Sequence, residues 1–259
     1  MRIVLRGIGK TFTLQDGRRL PVLRDLSFAV DRQEFCCLVG PSGCGKSTIL
    51  NIVAGLIAPD GGEVLGDGAT LDARRARIGY VFQKPRLLNW RTVLDNVRFV
   101  LRAAGVAESE AAARARHYLH LVGLGHFVDE FPLALSGGMQ QRVAIARALA
   151  IEPGLLLMDE PFSHLDELTA RTLRAELLRI WQRARTPVIF VTHNALEAVY
   201  LADRVIVLSG RPTTLVKELT VALPRDREME DPQLMSLHRV ILNSLGVIDA
   251  GGAHDREAP

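Results

Sequence analysis

The run Gly40-Pro-Ser-Gly-Cys-Gly-Lys-Ser-Thr48 constrains this chain more than any other stretch. It follows the pattern glycine, four residues, then Gly-Lys-Ser/Thr. The five residues before it, Phe35-Cys-Cys-Leu-Val39, are apolar and β-prone, which predicts a buried strand. After it, Ile49, Leu50, Val53 and Ala54 fall at helical spacing within Lys46–Gly55. Strand, glycine loop and helix in that order are the setting in which such a loop holds phosphate. Glycines let the backbone curl so that successive N–H groups face one anion, and the helix N-terminus adds partial positive charge. Lys46 is placed to reach the outer phosphates, and the Ser47 hydroxyl suits a magnesium ion. A glycine turn with a stray lysine would need neither the strand nor the helix.

At 259 residues the chain can bury a large core in one α/β body with a sub-domain. Its 48% hydrophobic and 24% charged residues are those of ordinary globular chains. No apolar run approaches the ~20 residues that span a bilayer. The start, Met1-Arg-Ile-Val-Leu-Arg6, lacks the apolar core of a signal peptide, so a cytosolic chain is expected. The net charge is +3, and the basic residues, nearly all arginine, are spread among acids. That pattern reads as a solvated surface with no stripe for nucleic acid. Cys36, Cys37 and Cys44 have no metal-site spacing, and their odd number fits a reducing compartment.

Residues 3–30 read as two or three strands, with a turn at Asp16-Gly17. Phe12 in this region reads as packing, with stacking on a nucleobase as the alternative. Pro59-Asp-Gly-Gly62 marks a turn, and Glu63–Leu65 and Ile78–Phe82 read as strands. Gln83 then leaves a strand at what would be the carboxyl edge of a parallel sheet, where ligands collect, although a surface glutamine is the ordinary reading. From Thr92 to Ala150 the pattern turns helical. Thr92 with Asp95 resembles a capping box, and Glu108–Val122 carries a stripe of Tyr118, Leu119 and Val122. Ser136 can cap a helix with a buried face at Met139, Val143, Ala146 and Leu149 or Ala150, ended by Glu152-Pro153. On composition alone this is a helix N-cap after a loop; its paired glycines also make a second anion-ready site. Leu155–Met158 is a fully apolar strand followed by Asp159-Glu160, carboxylates suited to a magnesium ion and a neighbouring base. Ser163–Asp166 reads as a loop and Glu167–Arg183 as a helix. Pro187–Val191 reads as a buried strand ending at Thr192-His193, where proximity to the phosphate loop favours a functional histidine. A helix over Asn194–Ala202 and a strand over Arg204–Leu208 continue the alternation. An appended helix is expected within 224–246, and Asp249–Pro259 is polar and expected to be disordered. No internal repeat is found.

Together these residues resemble the nucleotide-binding subunit of an ATP-binding cassette (ABC) transporter. The likeness spans roughly residues 2–222 and is carried by the phosphate loop, Leu135-Ser-Gly-Gly-Met-Gln140, Leu155–Pro161 and His193, in that order. The Ser-Gly-Gly-Met-Gln segment decides it, because other phosphate-loop families lack it. The resemblance implies an α/β fold: a P-loop NTPase core of the RecA-like type with an antiparallel β subdomain. A helical subdomain, about 84–150, would be inserted in this 1–222 ATPase domain, with 223–259 as a partly disordered extension. It also implies roles. Gly40, Pro41, Ser42, Gly43, Cys44, Gly45, Lys46, Ser47 and Thr48 would bind ATP, with Phe12 stacked on adenine. Ser47, Gln83 and Asp159 would serve Mg2+, Glu160 would polarise the attacking water, and Gln83 and His193 would complete the catalytic set.

In this family two subunits, identical or paralogous, pair head to tail. Ser136, Gly137, Gly138 and Gln140 would then act on the partner's ATP, and Ser163 and Asp166 would lie in the loop crossing the dimer. The stretch Val81–Val97 and the tail Leu223-Pro-Arg-Asp-Arg227 are similar to the importer branch for nitrate, sulfonates and taurine. That likeness implies a membrane permease contacted through Lys84–Arg91, a solute-binding protein, and a peripheral place on the cytoplasmic face of the membrane. An exporter, or an ATP-switch protein acting on DNA or ribosomes, is the alternative. Arg86-Leu-Leu-Asn-Trp90 argues against the first, and the lack of a coiled-coil insertion or second cassette against the other. Three residues depart from the family pattern. Gln33 stands in place of glycine at a turn, Asn89 in place of proline, which would alter permease docking, and His164 in place of alanine, most simply as a space-filler, with tuning of the coupling between the two sites as the alternative.

Overall fold

The computed structural model describes residues 1–163 and 165–252. In chain order the elements begin with β1 (Ile3–Thr13), β2 (Arg19–Val30), β3 (Phe35–Val39), α1 (Lys46–Val53), β4 (Gly61–Gly66), β5 (Ala69–Thr70) and β6 (Ile78–Val81). Next come α2 (Val93–Ala103), α3 (Glu108–Leu121), a 3-10 turn (Pro132–Ala134), α4 (Gly137–Ala150), β7 (Leu155–Asp159) and α5 (Glu167–Ala184). The rest are β8 (Val188–Thr192), α6 (Ala195–Leu201), β9 (Arg204–Leu208), β10 (Leu215–Thr220) and α7 (Pro232–Gly252). They form two compact units: residues 1–72 with 187 onward, and Ala73–Thr186.

In the first unit β1 and β2 are two long antiparallel strands, not three, turning at Asp16-Gly17. With β4 and β5 they make a four-stranded sheet in the order β2-β1-β4-β5. Ile3, Leu5 and Ile8 bury one face of β1, as alternation requires of a half-covered sheet. The other layer is parallel. β3 lies between β8 and β9, and β10 adds an antiparallel edge to β9. Every residue of β3 and β8 is buried, which is why these strands read as unbroken apolar runs. Each fully buried Leu, Ile or Val there contributes roughly 1.5–3 kcal/mol relative to exposure.

In the second unit β6 and β7 pair in parallel, accompanied by α2, α3, α4 and α5. Thr92 caps α2 as its sequence predicts, its hydroxyl accepting from the Asp95 amide at 3.2 Å. Two stripes differ from expectation. In α3 the buried face is Ala111, Ala115 and Leu119, continued by Val122, while Tyr118 is half-buried. The spacing of four runs through alanines, which carry too little apolar weight to stand out in the sequence. In α4 burial is nearly all round from Gln141 to Ala150, and Met139 is half-buried. A helix covered on every side has no polar face to mark its orientation.

The C-terminal helix also differs. α7 begins at Pro232 and continues to Gly252, so residues 249–252 extend a helix where a disordered tail was expected. Residues 253–259, the rest of that expectation, lie outside the described residues. Residues 224–227 precede the helix and are held by side-chain bonds from Arg225 and Arg227 to backbone carbonyls.

Gln33, between β2 and β3, has φ 62, in the left-handed region that favours glycine. The departure noted in the sequence therefore sits where a side chain costs on the order of 1 kcal/mol or more. Gln33→Gly is expected to raise stability by up to about 1 kcal/mol, and Gln33→Val to lower it by at least as much. Thermal unfolding midpoints check this; a Val variant more stable than the Gly variant would refute it.

Candidate nucleotide site

β3 delivers the phosphate loop into the carboxyl edge of the parallel layer. Gly43 and Gly45 both have positive φ, 74 and 119. A Cβ on Gly45 would stand 2.6 Å from Val22 Cγ1, so β2 closes on the loop through a residue with no side chain. A Cβ on Gly43 would meet nothing within 4 Å, which leaves that side of the loop open for an anion. Thr213 is fully buried beneath the loop. Its hydroxyl donates to the Cys44 carbonyl, and its amide donates to the Val22 carbonyl at 2.8 Å. Lys46 is buried, and its ammonium donates to the carbonyls of Gly40 (2.9 Å) and Pro41 (3.0 Å). The cation is therefore held over the loop. Ser42 and Ser47 are exposed, Pro41 and Thr48 are half-buried. Cys44 is buried, and burial pushes its thiol above the ordinary range. Phe12 on β1 is half-buried, with the Lys10 ammonium 5.5 Å from its ring centre.

Parallel pairing of β8 with β3 sets Val39 opposite Thr192. Gly40 and His193, the next residue on each strand, therefore leave the sheet side by side. His193 is exposed. The turn after it is tightly specified. Thr192 Oγ1 accepts from the Asn194 amide at 2.9 Å, and Asn194 Oδ1 accepts from Leu196 (3.0 Å) and Glu197 (3.1 Å) to start α6.

The second unit carries the remaining candidates. Val81 of β6 lies opposite Met158 of β7, and Gln83 and Glu160 each follow two residues later. The Gln83 amide donates to Ser163 Oγ at 3.4 Å, and Ser163 Oγ donates to the Glu160 carbonyl at 3.0 Å. Asp159 is buried; burial first, and the Asp159 charge second, push the Tyr80 phenol well above its ordinary range. Glu160 is half-buried, with φ 42. At the start of α4, Ser136 Oγ accepts from the Met139 amide at 3.3 Å. The Gln140 amide turns back to the carbonyls of Pro132 (3.0 Å) and Leu135 (3.3 Å), bracing the turn that presents Ser136. Asp166 caps α5 by accepting from the Thr169 amide at 3.0 Å, and this bond holds its carboxyl below the usual range. His164 lies outside the described residues.

Three residues that sequence reasoning passed over hold these segments. Thr213 supports the phosphate loop, with no sequence signal to mark it. Asn96 is fully buried in α2; its amide donates to Leu88, Arg91 and Thr92 carbonyls at 2.9–3.2 Å and accepts from the Leu88 amide at 2.8 Å. An asparagine inside the apolar stripe Val93, Leu94, Val97, Leu101 was the available signal. Arg147 of α4 donates to the carbonyls of Pro85 (2.8 Å) and Arg86 (2.9 Å). Together Asn96 and Arg147 fix the course of Lys84–Arg91.

A magnesium ion takes oxygen donors and leaves places to phosphate and water. The Ser47 hydroxyl, the Gln83 amide and the buried Asp159 carboxylate are donors of that kind. Among the described residues no group of three or more His, Cys, Asp or Glu side chains converges on one point.

Residues 23–163 match the ABC transporter family. The chain is 41% identical over 262 residues to a taurine import ATP-binding protein of Pseudomonas aeruginosa, covering 98% of this chain and 99% of that one. It is 43% identical over 228 residues to a nitrate import ATP-binding protein of Synechocystis sp., covering 88% and 85%. Its structure resembles the dimeric, post-hydrolysis ATP-binding cassette MJ0796 bound to ADP and phosphate, with TM-score 0.76, 32% identity, and 86% and 100% coverage. The chain belongs to the ABC transporter family, and it is an ABC-type ATPase with the α/β P-loop NTPase fold.

The paired glycines of α4 differ in a testable way. A Cβ on Gly138 would lie 2.9 Å from Thr169 Cγ2, whereas one on Gly137 would meet nothing within 4 Å. Gly138→Ala is expected to cost about 1–3 kcal/mol of stability through overpacking, and Gly137→Ala about 0.5 kcal/mol or less. Denaturant unfolding distinguishes them; equal costs would count against the close approach of α5.

Proposed function

We infer that this chain is the ATP-hydrolysing subunit of an importer that takes up a small solute of the nitrate, sulfonate or taurine kind through a membrane permease. The observation that carries the reading is the register of β3 against β8, which brings the phosphate loop and His193 to one edge. The import proteins it resembles nearly end to end supply the solute class.

Lys46 and the loop amides hold the β- and γ-phosphates. The ammonium now donates to two loop carbonyls, so phosphate oxygens exchange for partners already in reach and little side-chain entropy is lost. His193 contacts the γ-phosphate, and Phe12 stacks on adenine. Glu160 accepts a proton from the attacking water, with its backbone fixed by Ser163 and its neighbour Gln83. Ser47, Gln83 and Asp159 would hold a magnesium ion, which when bound offsets phosphate charge. The chemistry is positioning and electrostatics around a transferring phosphoryl group.

The subunit works as a head-to-tail pair. Ser136, Gly137 and Gly138, with Gln140 bracing them, present a capped helix N-terminus to the partner's nucleotide, and Ser163 and Asp166 lie in the loop between copies. No helix among the described residues is long and apolar enough to cross a membrane. A membrane permease, contacted from the cytoplasmic face through Lys84–Arg91, carries the solute across. A solute-binding protein selects the cargo.

Lys46→Ala should weaken ATP binding by about tenfold or more, since a charge-assisted hydrogen bond contributes roughly 1.5–3 kcal/mol. Unchanged affinity in a titration with labelled ATP would sink the phosphate-loop assignment. Glu160→Gln should keep ATP affinity while turnover falls about 10²–10⁴-fold, the scale of a lost general base, and a closed dimer accumulates on size-exclusion chromatography. Near-normal phosphate release by that variant would refute the role of Glu160.

A further inference from the structure

Helix α6 has seven residues and begins directly after His193, with Asn194 as its N-cap. The last four carbonyls of any helix lack internal partners. Here all four at the end of α6 are taken by two arginines of the tail. Arg227 donates to the carbonyls of Val199 (2.8 Å), Tyr200 (3.1 Å) and Ala202 (2.6 Å), and Arg225 donates to Leu201. The same Arg227 guanidinium donates to its own segment, to Pro224 (3.0 Å), Leu223 (3.1 Å) and Val221 (3.4 Å). It is 7% exposed, and six carbonyls surround it. Burial lowers its pKa to about 10, so it remains a cation at neutral pH. A cation at a helix C-terminus is favoured by the helix dipole, and most so when partly buried.

The second arginine extends the contact. Arg225 forms an ion pair with Asp203. Asp203 Oδ2 accepts from the Phe35 amide at 2.8 Å, and the Asp203 amide donates to the Phe35 carbonyl at 2.8 Å. Phe35 opens β3, the strand that ends at the phosphate loop. The tail therefore grips both the far end of α6 and the near end of β3, the elements whose opposite ends present His193 and Gly40.

We propose that Pro224–Arg227 is a clasp that makes α6 a rigid strut and so sets the position of His193, with Arg227 as a positioning residue for the phosphoryl chemistry. The proposal rests on the reading of His193 as a γ-phosphate contact. Physically, a helix of two turns with four unsatisfied carbonyls frays, and fraying at one end lets the whole rod shift on its bed. A displacement of about 1 Å at a positioning group is enough to cost about 10²-fold in rate. The phosphate loop is held by Thr213 and by its own glycines, so loss of the clasp separates turnover from nucleotide affinity.

The test uses the full-length chain with Arg227→Gln and Arg227→Lys. Lysine retains the charge but offers three donors without the planar fork. Amide hydrogen exchange over residues 195–202, ATP dissociation constant and turnover are read for each. Expected for Arg227→Gln are exchange about tenfold faster in α6, turnover down about tenfold or more, and ATP affinity within about threefold of the parent, with Arg227→Lys in between. Faster exchange with unchanged turnover overturns the proposal, as does unchanged exchange, or a loss of affinity matching the loss of rate. If Arg227→Gln does not fold, Arg225→Gln should show the same split at smaller amplitude, and its absence there also overturns the proposal. His193→Ala is measured beside them. If it keeps full turnover, the reading of His193 falls and the clasp's catalytic part with it. An inactive His193→Ala beside a loosened but fully active Arg227→Gln overturns the clasp alone.

Discussion

The pairing of β3 with β8, residue for residue from Phe35 opposite Val188 to Val39 opposite Thr192, is the constraint on which the first unit depends. Both strands are buried along their whole length, so neither can slip without exposing backbone groups that have no other partner. A parallel ladder also sends every strand's carboxyl end to the same edge, and loops that leave this edge face one another. Chemistry-bearing residues need only stand just beyond a strand end to meet. Gly40 and His193 do so, and the second unit repeats the arrangement with Gln83 after β6 and Glu160 after β7. The residues at the two strand ends are thus aligned by backbone hydrogen bonds, before any side chain contributes.

Arginine does a second kind of work that the charge pattern concealed. The sequence suggests a solvated surface of mixed sign. Among the described residues most arginines are exposed, as that reading expects, but six guanidiniums donate to backbone carbonyls: Arg114 to Ala150, Arg142 to Val122, Arg147 to Pro85 and Arg86, Arg204 to Ala29, and Arg225 and Arg227 to the end of α6. Three of these targets lie at or just beyond a helix end, where carbonyls are left over. A planar fork with five donors satisfies several such groups at once, and its charge complements the helix dipole. These six arginines stand where loops and helix ends need donors.

What could be read from the sequence follows the same logic. Motifs whose chemistry is local were legible: the phosphate loop, the caps at Thr92 and Ser136, and the apolar strands β3, β7 and β8. Each depends on neighbours within a few residues. Contacts across long separations were not. Thr213 lies 169 residues from the Cys44 carbonyl it supports, and Arg227 lies 25 to 28 residues from the carbonyls of α6. Gln33 was noticed as a departure, but its positive φ is a property of the turn geometry and no composition reports it. The all-round burial of α4 was hidden for a related reason: periodicity shows a face only when the other face is wet.

Glu160 is held in an unusual backbone conformation. Its φ of 42 is one that L-residues avoid, and a non-glycine side chain there costs on the order of 1–3 kcal/mol unless its surroundings hold it. They do. The Glu160 carbonyl accepts from the Ser163 amide at 3.2 Å and from the Ser163 hydroxyl at 3.0 Å, and Gln83 donates to that same hydroxyl. Glycine would relieve the strain but carries no carboxylate. The position lies immediately after a buried strand that ends in Asp159. Because Gln83 also begins the segment fixed by Asn96 and Arg147, a displacement of Lys84–Arg91 can reach the Glu160 carbonyl through one serine hydroxyl. Under the roles proposed for Lys84–Arg91 and Glu160, that short path connects a permease contact to the base.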